Sequence, residues 1–236
     1  MSGRKRPRPT KSVATNTWKP RKRARITVAV PVRNVGFRTG GFGSRVGSKG
    51  ELKWIDNNSA TAGVASFTGA GVTQLLNGCA QGTTSTTRIG RKIVNKSITG
   101  HVTLGCGTAG ATVFRGKLKM LIFYDSQANA TAAAPTDVLI SASADSLMNL
   151  DNRGRFKVLR KKTWVLDQSG GMGAAGFDFT IATSLPTIFN SGSTGTFGDI
   201  QTGSLWALFV YTNSGGAVPT NTPNLSYNFR VRFMDD

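Results

Sequence analysis

The first 50 residues contain 14 Lys and Arg and no Asp or Glu, and the first acidic residue is Glu51. Such a segment cannot build a core, because its charges repel one another and its four prolines interrupt any helix. The other 186 residues carry 16 basic and 11 acidic side chains, so most of the formal net charge of +19 lies in the N-terminal segment. We therefore predict a basic, mostly disordered arm over residues 1–49 and a folded domain over residues 50–236.

The natural partner of the arm is a polyanion, because clustered Lys and Arg bind phosphates and release counterions. No helix-turn-helix or finger motif is present, so the predicted binding is independent of base sequence. Trp18 lies among the cations and is a candidate for stacking on bases. The predicted nucleic-acid contacts are Arg4, Lys5, Arg6, Arg8, Lys11, Lys19, Arg21, Lys22, Arg23, Arg25, Arg33, Arg38 and Arg45.

Two basic triplets in the arm have the spacing of a bipartite nuclear localisation signal, which implies nuclear import receptors as partners. These triplets are Arg4-Lys5-Arg6 and Arg21-Lys22-Arg23. A solvated charge run, or a bare nuclear-targeting signal, stays open as the simpler interpretation of the same residues.

Short segments of strand-like pattern follow from Glu51 onward, separated by polar turns rich in Gly. Leu225–Phe233 alternates apolar and polar side chains, and Leu205–Thr212 is a continuous apolar run typical of a strand covered on both faces. The predicted strands are 51–57, 63–68, 93–104, 112–124, 155–166, 177–183, 205–212 and 225–234. Because no βαβ alternation occurs, the sequence predicts an all-β fold, a single eight-stranded antiparallel jelly-roll sandwich.

Three further local features are expected. Gly71–Gly78 is predicted to form one helical turn. Thr136 is predicted to be the N-cap of a helix over Asp137–Met148. In the strand 155–166, Phe156, Val158 and Trp164 are predicted to point inward.

The sequence carries no pattern that indicates catalysis, a cofactor or a metal. His101 is the only histidine, and its spacing to Cys79 and Cys106 matches no standard zinc site. No apolar run reaches the length of a transmembrane helix, so no membrane insertion is predicted. Two cysteines do not make a disulfide framework, which favours a reducing site of folding. We predict that the protein is not an enzyme.

The cations of the folded domain fall into four groups, whose role the sequence leaves open. They could extend the contact with the polyanion, or they could form salt bridges between neighbouring copies. The groups are Arg88, Arg91, Lys92 and Lys96; Arg115, Lys117 and Lys119; Arg153, Arg155, Lys157, Arg160, Lys161 and Lys162; and Arg230 and Arg232.

An ordered series of short segments resembles the capsid proteins of small circular, Rep-encoding single-stranded DNA viruses, the geminivirus and circovirus-like group. The segments are ELKWID (51–56), RIGRKI (88–93), FYDSQ (123–127), PTDVL (135–139), RFKVL (155–159) and YNFRVRF (227–233). The Cys and His pattern that some link to metal in geminiviruses is not reproduced here, so the resemblance implies no metal.

The resemblance implies a structural capsid protein that assembles as a homo-oligomer of about sixty copies into a T=1 icosahedral shell. It places the arm inside the shell on a single-stranded DNA genome, and the protein in the virion and, during assembly, in the host nucleus. Three alternatives remain: the capsid protein of a small single-stranded RNA or satellite virus, a cellular non-specific nucleic-acid-binding protein, and a jelly-roll lectin or enzyme with a basic tag.

Overall fold

The computed structural model describes residues 51–59, 71–105, 115–128, 130–167, 174–213 and 224–236. These residues all lie in the second of the two units into which the chain divides, Val46–Asp236. The predicted arm and the predicted strand 63–68 lie outside the described residues, so both remain predictions, as does a domain boundary at residues 49 and 50.

The described residues form nine strands and very little helix. The helix is α1 (Pro135–Val138), and a 3-10 turn spans Phe197–Asp199. No helix in this part of the chain is long and apolar enough to cross a membrane. The strands are β1 (Leu52–Asn58), β2 (Val72–Leu75), β3 (Lys92–Gly105), β4 (Arg115–Asp125), β5 (Phe156–Asp167), β6 (Ala174–Phe189), β7 (Ile200–Thr202), β8 (Ser204–Asn213) and β9 (Asn224–Asp235).

The strands form two antiparallel sheets. The first sheet has the order β1-β9-β3-β6-β7 and the second has the order β2-β8-β4-β5. With the three-residue β7 set aside, the first, last, third and sixth strands form one sheet, and the second, seventh, fourth and fifth form the other. This is the order of a jelly roll, in which strands alternate between two facing sheets. The prediction of an all-β jelly-roll fold is confirmed.

The main core lies between the two sheets and follows from alternation along the strands. Leu225, Tyr227, Phe229, Val231 and Phe233 of β9 are buried, whereas the residues between them are exposed or half-buried. The rings of Tyr227 and Phe209 stack across the sheets with their centroids 5.6 Å apart. The alternating pattern predicted for this strand is confirmed.

The central strands of the second sheet are covered on both faces. Leu205, Ala207 and Phe209 of β8 point into the main core. The alternate residues of β8, such as Trp206 and Leu208, pack in a second cluster with side chains of the segment between β4 and β5. The continuous apolar run in β8 is therefore explained as predicted, because each face of the strand meets a different core.

A β-bulge in β5 changes which face its side chains occupy. The pairing with β4 shifts between Ile122 and Phe123, so that Arg160 and Val158 oppose them and Leu159 is left over. Trp164 points into the main core as predicted. Phe156 and Val158 instead join the second cluster on the opposite face of the sheet, because the extra residue reverses the alternation.

Two predicted helical segments are wrong. Within Gly71–Gly78 the structure has the strand β2, because Val72 to Leu75 pair with the neighbouring strand β8. The predicted helix Asp137–Met148 is reduced to α1, whose N-cap is Ala134 and not Thr136. The helix ends there because Leu139 adopts an extended conformation and bridges to Met148, which turns the chain back on itself.

The sixth strand is longer than predicted. It covers 16 residues, where the pattern suggested 177–183, and β7 lies in what was expected to be a polar loop. The strand continues through Pro186 because this residue pairs with β3 on one side and has no described strand on the other. The pairing of β6 with β7 starts only at Ile188. A proline is tolerated where no ladder hydrogen bond is lost.

Candidate nucleic-acid interface

The cations predicted to contact nucleic acid in the arm, together with Trp18 and both basic triplets, lie outside the described residues. The assignments to these residues therefore remain predictions. The described domain shows what its own cations do, and they separate into three classes: buried, paired on the surface, and unpaired.

Three cations are buried in the described part of the chain, and two of them, Arg88 and Lys53, hold distant segments together. The Arg88 guanidinium is inaccessible to solvent, donates hydrogen bonds to the carbonyl oxygens of Cys79 and Gly90, and lies 4.2 Å from the centroid of the Phe189 ring. Lys53 is also buried and donates to the carbonyl of Thr87 at 2.9 Å. Neither side chain can reach a phosphate outside the domain.

Lys53 also forms an ion pair with Asp235 at the other end of the chain, with 2.9 Å between Nζ and Oδ2. This pair fastens β1 to the last residues of β9. An unpaired buried ammonium would be costly, so its partner is part of the fold.

Several other cations are neutralised within the domain. Arg155 donates two hydrogen bonds of 2.8 Å to the buried carboxylate of Asp125, and these bonds raise the pKa of Arg155. Arg230 likewise donates two hydrogen bonds, of 2.6 and 2.7 Å, to the Asp56 carboxylate, and these bonds lower the pKa of Asp56. The further ion pairs join Lys117 to Asp145 and Lys92 to Asp236.

Lys119 is the third buried cation, and like Arg88 it forms no ion pair with a described carboxylate. Its ammonium donates to the carbonyl of Ser146 at 2.6 Å. Burial lowers the pKa of Lys119, and the positive charges of Lys161 and Lys117 lower it further. This lysine fastens the segment between β4 and β5 onto the sheet.

The unpaired cations concentrate on β5, which is an edge strand of the second sheet. Lys157, Arg160, Lys161 and Lys162 are exposed or half-buried and form no ion pair within the described part of the chain. By register, Arg160 and Lys162 lie on the face of β5 toward the first sheet, whereas Lys161 lies on the opposite face.

Arg160 and Lys162 both lie over an aromatic ring of the other sheet. The Phe177 centroid on β6 is 5.4 Å from the Arg160 Cζ atom and 5.0 Å from the Lys162 Nζ atom. Trp164 contacts the same ring edge-on, with centroids 5.8 Å apart. The ring of Phe177 is half-buried, and it forms the floor between the two cations.

A cavity of about 390 Å³ continues this strip along the same side of the sandwich. It is lined by Lys157 and Leu159 of β5 and by residues from Ile181 to Leu185 of β6. We call the whole strip the β5–β6 groove: Lys157, Leu159, Arg160 and Lys162 on β5, with Phe177, Ile181 and Leu185 on β6. No carboxylate lines the described part of this groove.

The outer face of the first sheet has a second shallow cavity, but its charges are balanced. His101 is exposed, and its Nδ1 atom lies 2.9 Å from an Asp178 carboxylate oxygen. The bidentate pair of Arg230 and Asp56 borders the same cavity. Arg232 is the cation there with no carboxylate partner in the described part of the chain.

Of the three residues compared with a zinc site, the structure describes Cys79 and His101, and these two differ in exposure. Cys79 is buried, and burial raises the pKa of its thiol to about 11, so the thiol is neutral at physiological pH. His101 instead faces solvent on β3, and Cys106 lies outside the described residues. Among those that are described, no group of three or more His, Cys, Asp or Glu is placed to hold a metal ion.

The sequence pointed to the cations of β5 but not to the groove they form. Phe177 begins the predicted strand 177–183, and nothing in that pattern indicates that its ring would meet β5. A signal was present in the segment RFKVLRKKTWVL, whose cations fall on both faces of one strand. On an interior strand that pattern would bury charge, so it indicates an edge.

No protein-family model and no curated protein matches the chain. Among solved structures it is similar to one of Desmodium yellow mottle tymovirus, with 11% sequence identity, a TM-score of 0.29, and coverage of 78% of this chain and 86% of that chain. It is also similar to a cryo-EM structure of broad bean stain virus, with 14% identity, a TM-score of 0.27, and coverage of 80% and 87%. At these values the jelly-roll assignment rests on the strand order of this chain.

Proposed function

We propose that this protein is a structural, non-enzymatic capsid protein, whose jelly-roll domain assembles into a closed icosahedral shell and whose basic arm binds the packaged nucleic acid. The observation that carries the proposal is the division of charge. An acid-free segment with 14 cations precedes a domain in which many of the cations are buried or paired with the domain's own carboxylates.

The quantity of charge suits a packaged genome. About sixty arms, each with 14 cations, would bring on the order of 840 positive charges inside one shell, enough to offset hundreds of phosphates. Because a shell tethers its arms together, weak contacts by each arm add up to stable packaging. A single arm of about 50 residues is too short to enclose a genome.

Exposed apolar side chains support contacts between copies. Ile140, Leu147 and Leu150 are 66%, 74% and 68% exposed and surround one cavity of about 660 Å³ in the segment between β4 and β5. Exposed aliphatic side chains grouped in this way mark protein contact surfaces more often than free surface. A second copy of the chain is the partner that a shell provides.

The finer identity that we propose is the capsid protein of a small circular single-stranded DNA virus, with a T=1 shell, located in the virion and the host nucleus. The support is the ordered series of segments from residue 51 to residue 233 and the two basic triplets of the arm. A small single-stranded RNA or satellite virus would use the same charge division and the same fold, so it is the second candidate.

Electron microscopy of the purified full-length protein tests the proposal, combined with nuclease digestion of the same sample. We expect closed particles of uniform size that protect nucleic acid, and we expect the extracted nucleic acid to be digested by DNase and not by RNase. If the protected nucleic acid is RNA, the assignment to a DNA virus is rejected and the proposal of a capsid protein stands. A monomer with bound nucleic acid in light scattering would reject the capsid itself.

Deletion of residues 1–25 tests the role of the arm. We expect a folded domain with unchanged circular dichroism that no longer protects nucleic acid and no longer accumulates in nuclei. A deletion variant that still packages nucleic acid would show that the arm is dispensable.

A further inference from the structure

The β5–β6 groove is the strongest concentration of unpaired charge in the described part of the domain. Lys157, Arg160 and Lys162 line it, and Phe177 lies between the two sheets at its floor. The other cations of the domain are spread over several faces, and many of them have partners. The groove therefore needs an explanation that the fold itself does not supply.

The chain has few carboxylates left to neutralise this groove from a second copy. Of its 11 acidic residues, at least six form ion pairs with the chain's own cations or histidine. Asp199 accepts hydrogen bonds from Thr194 and from the Gly195 amide, and Asp137 accepts one from the Ala134 amide. Because most carboxylates of a neighbouring copy are already paired, a polyanion suits the groove better than a second copy of the chain does.

The chemistry of the groove fits a single strand of nucleic acid. Binding sites for single strands combine cations that follow the phosphates with aromatic and apolar surfaces on which bases pack. The β5–β6 groove has cations on one wall, a half-buried phenylalanine ring at its floor, and aliphatic side chains at Leu159 and Ile181. A duplex would be too wide and too stiff to place its bases there.

The length of the groove corresponds to a short segment of strand. Lys157 and Lys162 oppose Tyr124 and Met120 of β4, which are only four positions apart because of the bulge, so the two lysines span about 13 Å. A stacked single strand places about four phosphates over that distance. The groove can therefore hold a few nucleotides, with phosphates near the three cations and bases against the apolar side chains of Leu159 and Ile181.

We propose that the β5–β6 groove is a second nucleic-acid contact, separate from the arm, which holds a few nucleotides of single-stranded nucleic acid without base preference. The inference rests on the proposed packaging function and adds a defined site on the folded domain. Because the groove belongs to the shell domain, it would fix segments of the genome at regular positions on each copy.

The test uses the full-length chain and a matched pair of charge variants. The groove variant carries Lys157→Gln, Arg160→Gln and Lys162→Gln. The control variant also loses three cations that are exposed or half-buried, through Lys96→Gln, Lys161→Gln and Arg232→Gln. Lys161 is the sharpest part of the control, because it is on the same strand but faces the opposite side of the sheet. Thermal unfolding followed by circular dichroism checks that both variants are folded.

Binding of a short oligothymidine is measured across a range of salt concentrations. Each phosphate contact on a single strand contributes about 0.7 to the slope of log affinity against log salt. We expect the slope of the groove variant to be shallower than that of the unchanged protein by about 2, and the slope of the control to stay close to that of the unchanged protein. Ultraviolet crosslinking to the same oligonucleotide should label peptides from β5 or β6.

Each result decides between the inference and its alternatives. Equal salt-dependence slopes for the two variants, with no crosslink on β5 or β6, would overturn the inference that the groove binds nucleic acid. The arm would then be the remaining nucleic-acid contact. Normal binding by a groove variant that no longer forms particles would also overturn it, because the groove would then be a contact between copies. If the unchanged protein neither binds the oligonucleotide nor forms particles, the packaging function itself is rejected.

Discussion

Replacing Arg88 with methionine tests whether a buried cation of this domain has a structural role. The guanidinium donates to carbonyl oxygens of Cys79 and Gly90, in the segment between β2 and β3, and to that of Gly192, in the segment between β6 and β7. Its planar group also covers the Phe189 ring. Methionine keeps much of the volume but donates no hydrogen bond.

The expected cost follows from the groups left without a partner. Three carbonyl oxygens lose their donor from Arg88, one in a buried and two in part-buried hydrogen bonds, and each buried unsatisfied group costs about 1–3 kcal/mol. Because the two segments can relax in part, we expect a loss of about 3–6 kcal/mol in the free energy of unfolding. This is a large fraction of the roughly 5–15 kcal/mol that stabilises a typical domain.

The assay is urea unfolding of the Arg88→Met variant, with Arg88→Lys as the intermediate case. Lysine keeps the charge but cannot donate in three fixed directions, so we expect its stability to fall between those of the methionine variant and the unchanged protein. A loss below 1 kcal/mol for the methionine variant, at an unchanged denaturant slope, would refute the structural role. A methionine variant that remains folded but loses its affinity for the oligonucleotide would also refute the structural role.

Three other substitutions test the core, the buried thiol and the apolar surface. Gly100→Ala should destabilise the domain by about 1–3 kcal/mol in urea unfolding, because the added Cβ would lie 2.5 Å from the nearest phenylalanine ring atom. The pKa of Cys79 is raised to about 11 in the folded state, above its ordinary value of 9.0, so stability should fall by about 1–3 kcal/mol as the pH rises from about 9 to about 11. Cys79→Ala should remove that fall, and a fall of the same size in the variant would contradict the assignment. Serine at three exposed aliphatic positions should leave unfolding within about 0.5 kcal/mol of the unchanged protein but prevent particle formation in light scattering, whereas Val165→Ser should assemble normally. The three positions are Ile140, Leu147 and Leu150.

Local patterns of apolar residues were sufficient to find most of the fold. β3 and β9 have apolar residues at the period of a strand, and β8 was found from its continuous apolar run. The short strand β2 could not be found in this way, because its four half-buried residues form a strand only by pairing with β8. The helix predicted after Thr136 failed for a similar reason, since a bridge between Leu139 and Met148 overrides the local preference.

The candidate site was harder to predict from the sequence, because the carboxylates that pair with the domain's cations are distant in the chain. Arg230 is neutralised by Asp56, which is 174 residues away, and Lys53 pairs with Asp235. No local pattern distinguishes these cations from Lys157 or Lys162, which have no such partner among the described residues. The sequence therefore predicts how many cations the domain has, but not which of them remain free to bind phosphate.

This difference between paired and unpaired cations also explains why β5 can be an edge strand. An exposed edge with open hydrogen-bonding groups tends to pair with the edges of other molecules, and lysine and arginine side chains prevent this. Copies held at high local concentration in a shell would meet each other's edges often, so an uncharged β5 would favour sheet-to-sheet aggregation over ordered assembly. Nucleic acid can occupy the same charged edge without forming a β-ladder, because it has no peptide groups to extend the sheet. Protection of the edge and binding of single-stranded nucleic acid therefore both require the positive charges of Lys157, Arg160 and Lys162. The groove variant described above should consequently aggregate more readily than its control at low salt, and equal turbidity of the two would show that these charges do not protect the edge.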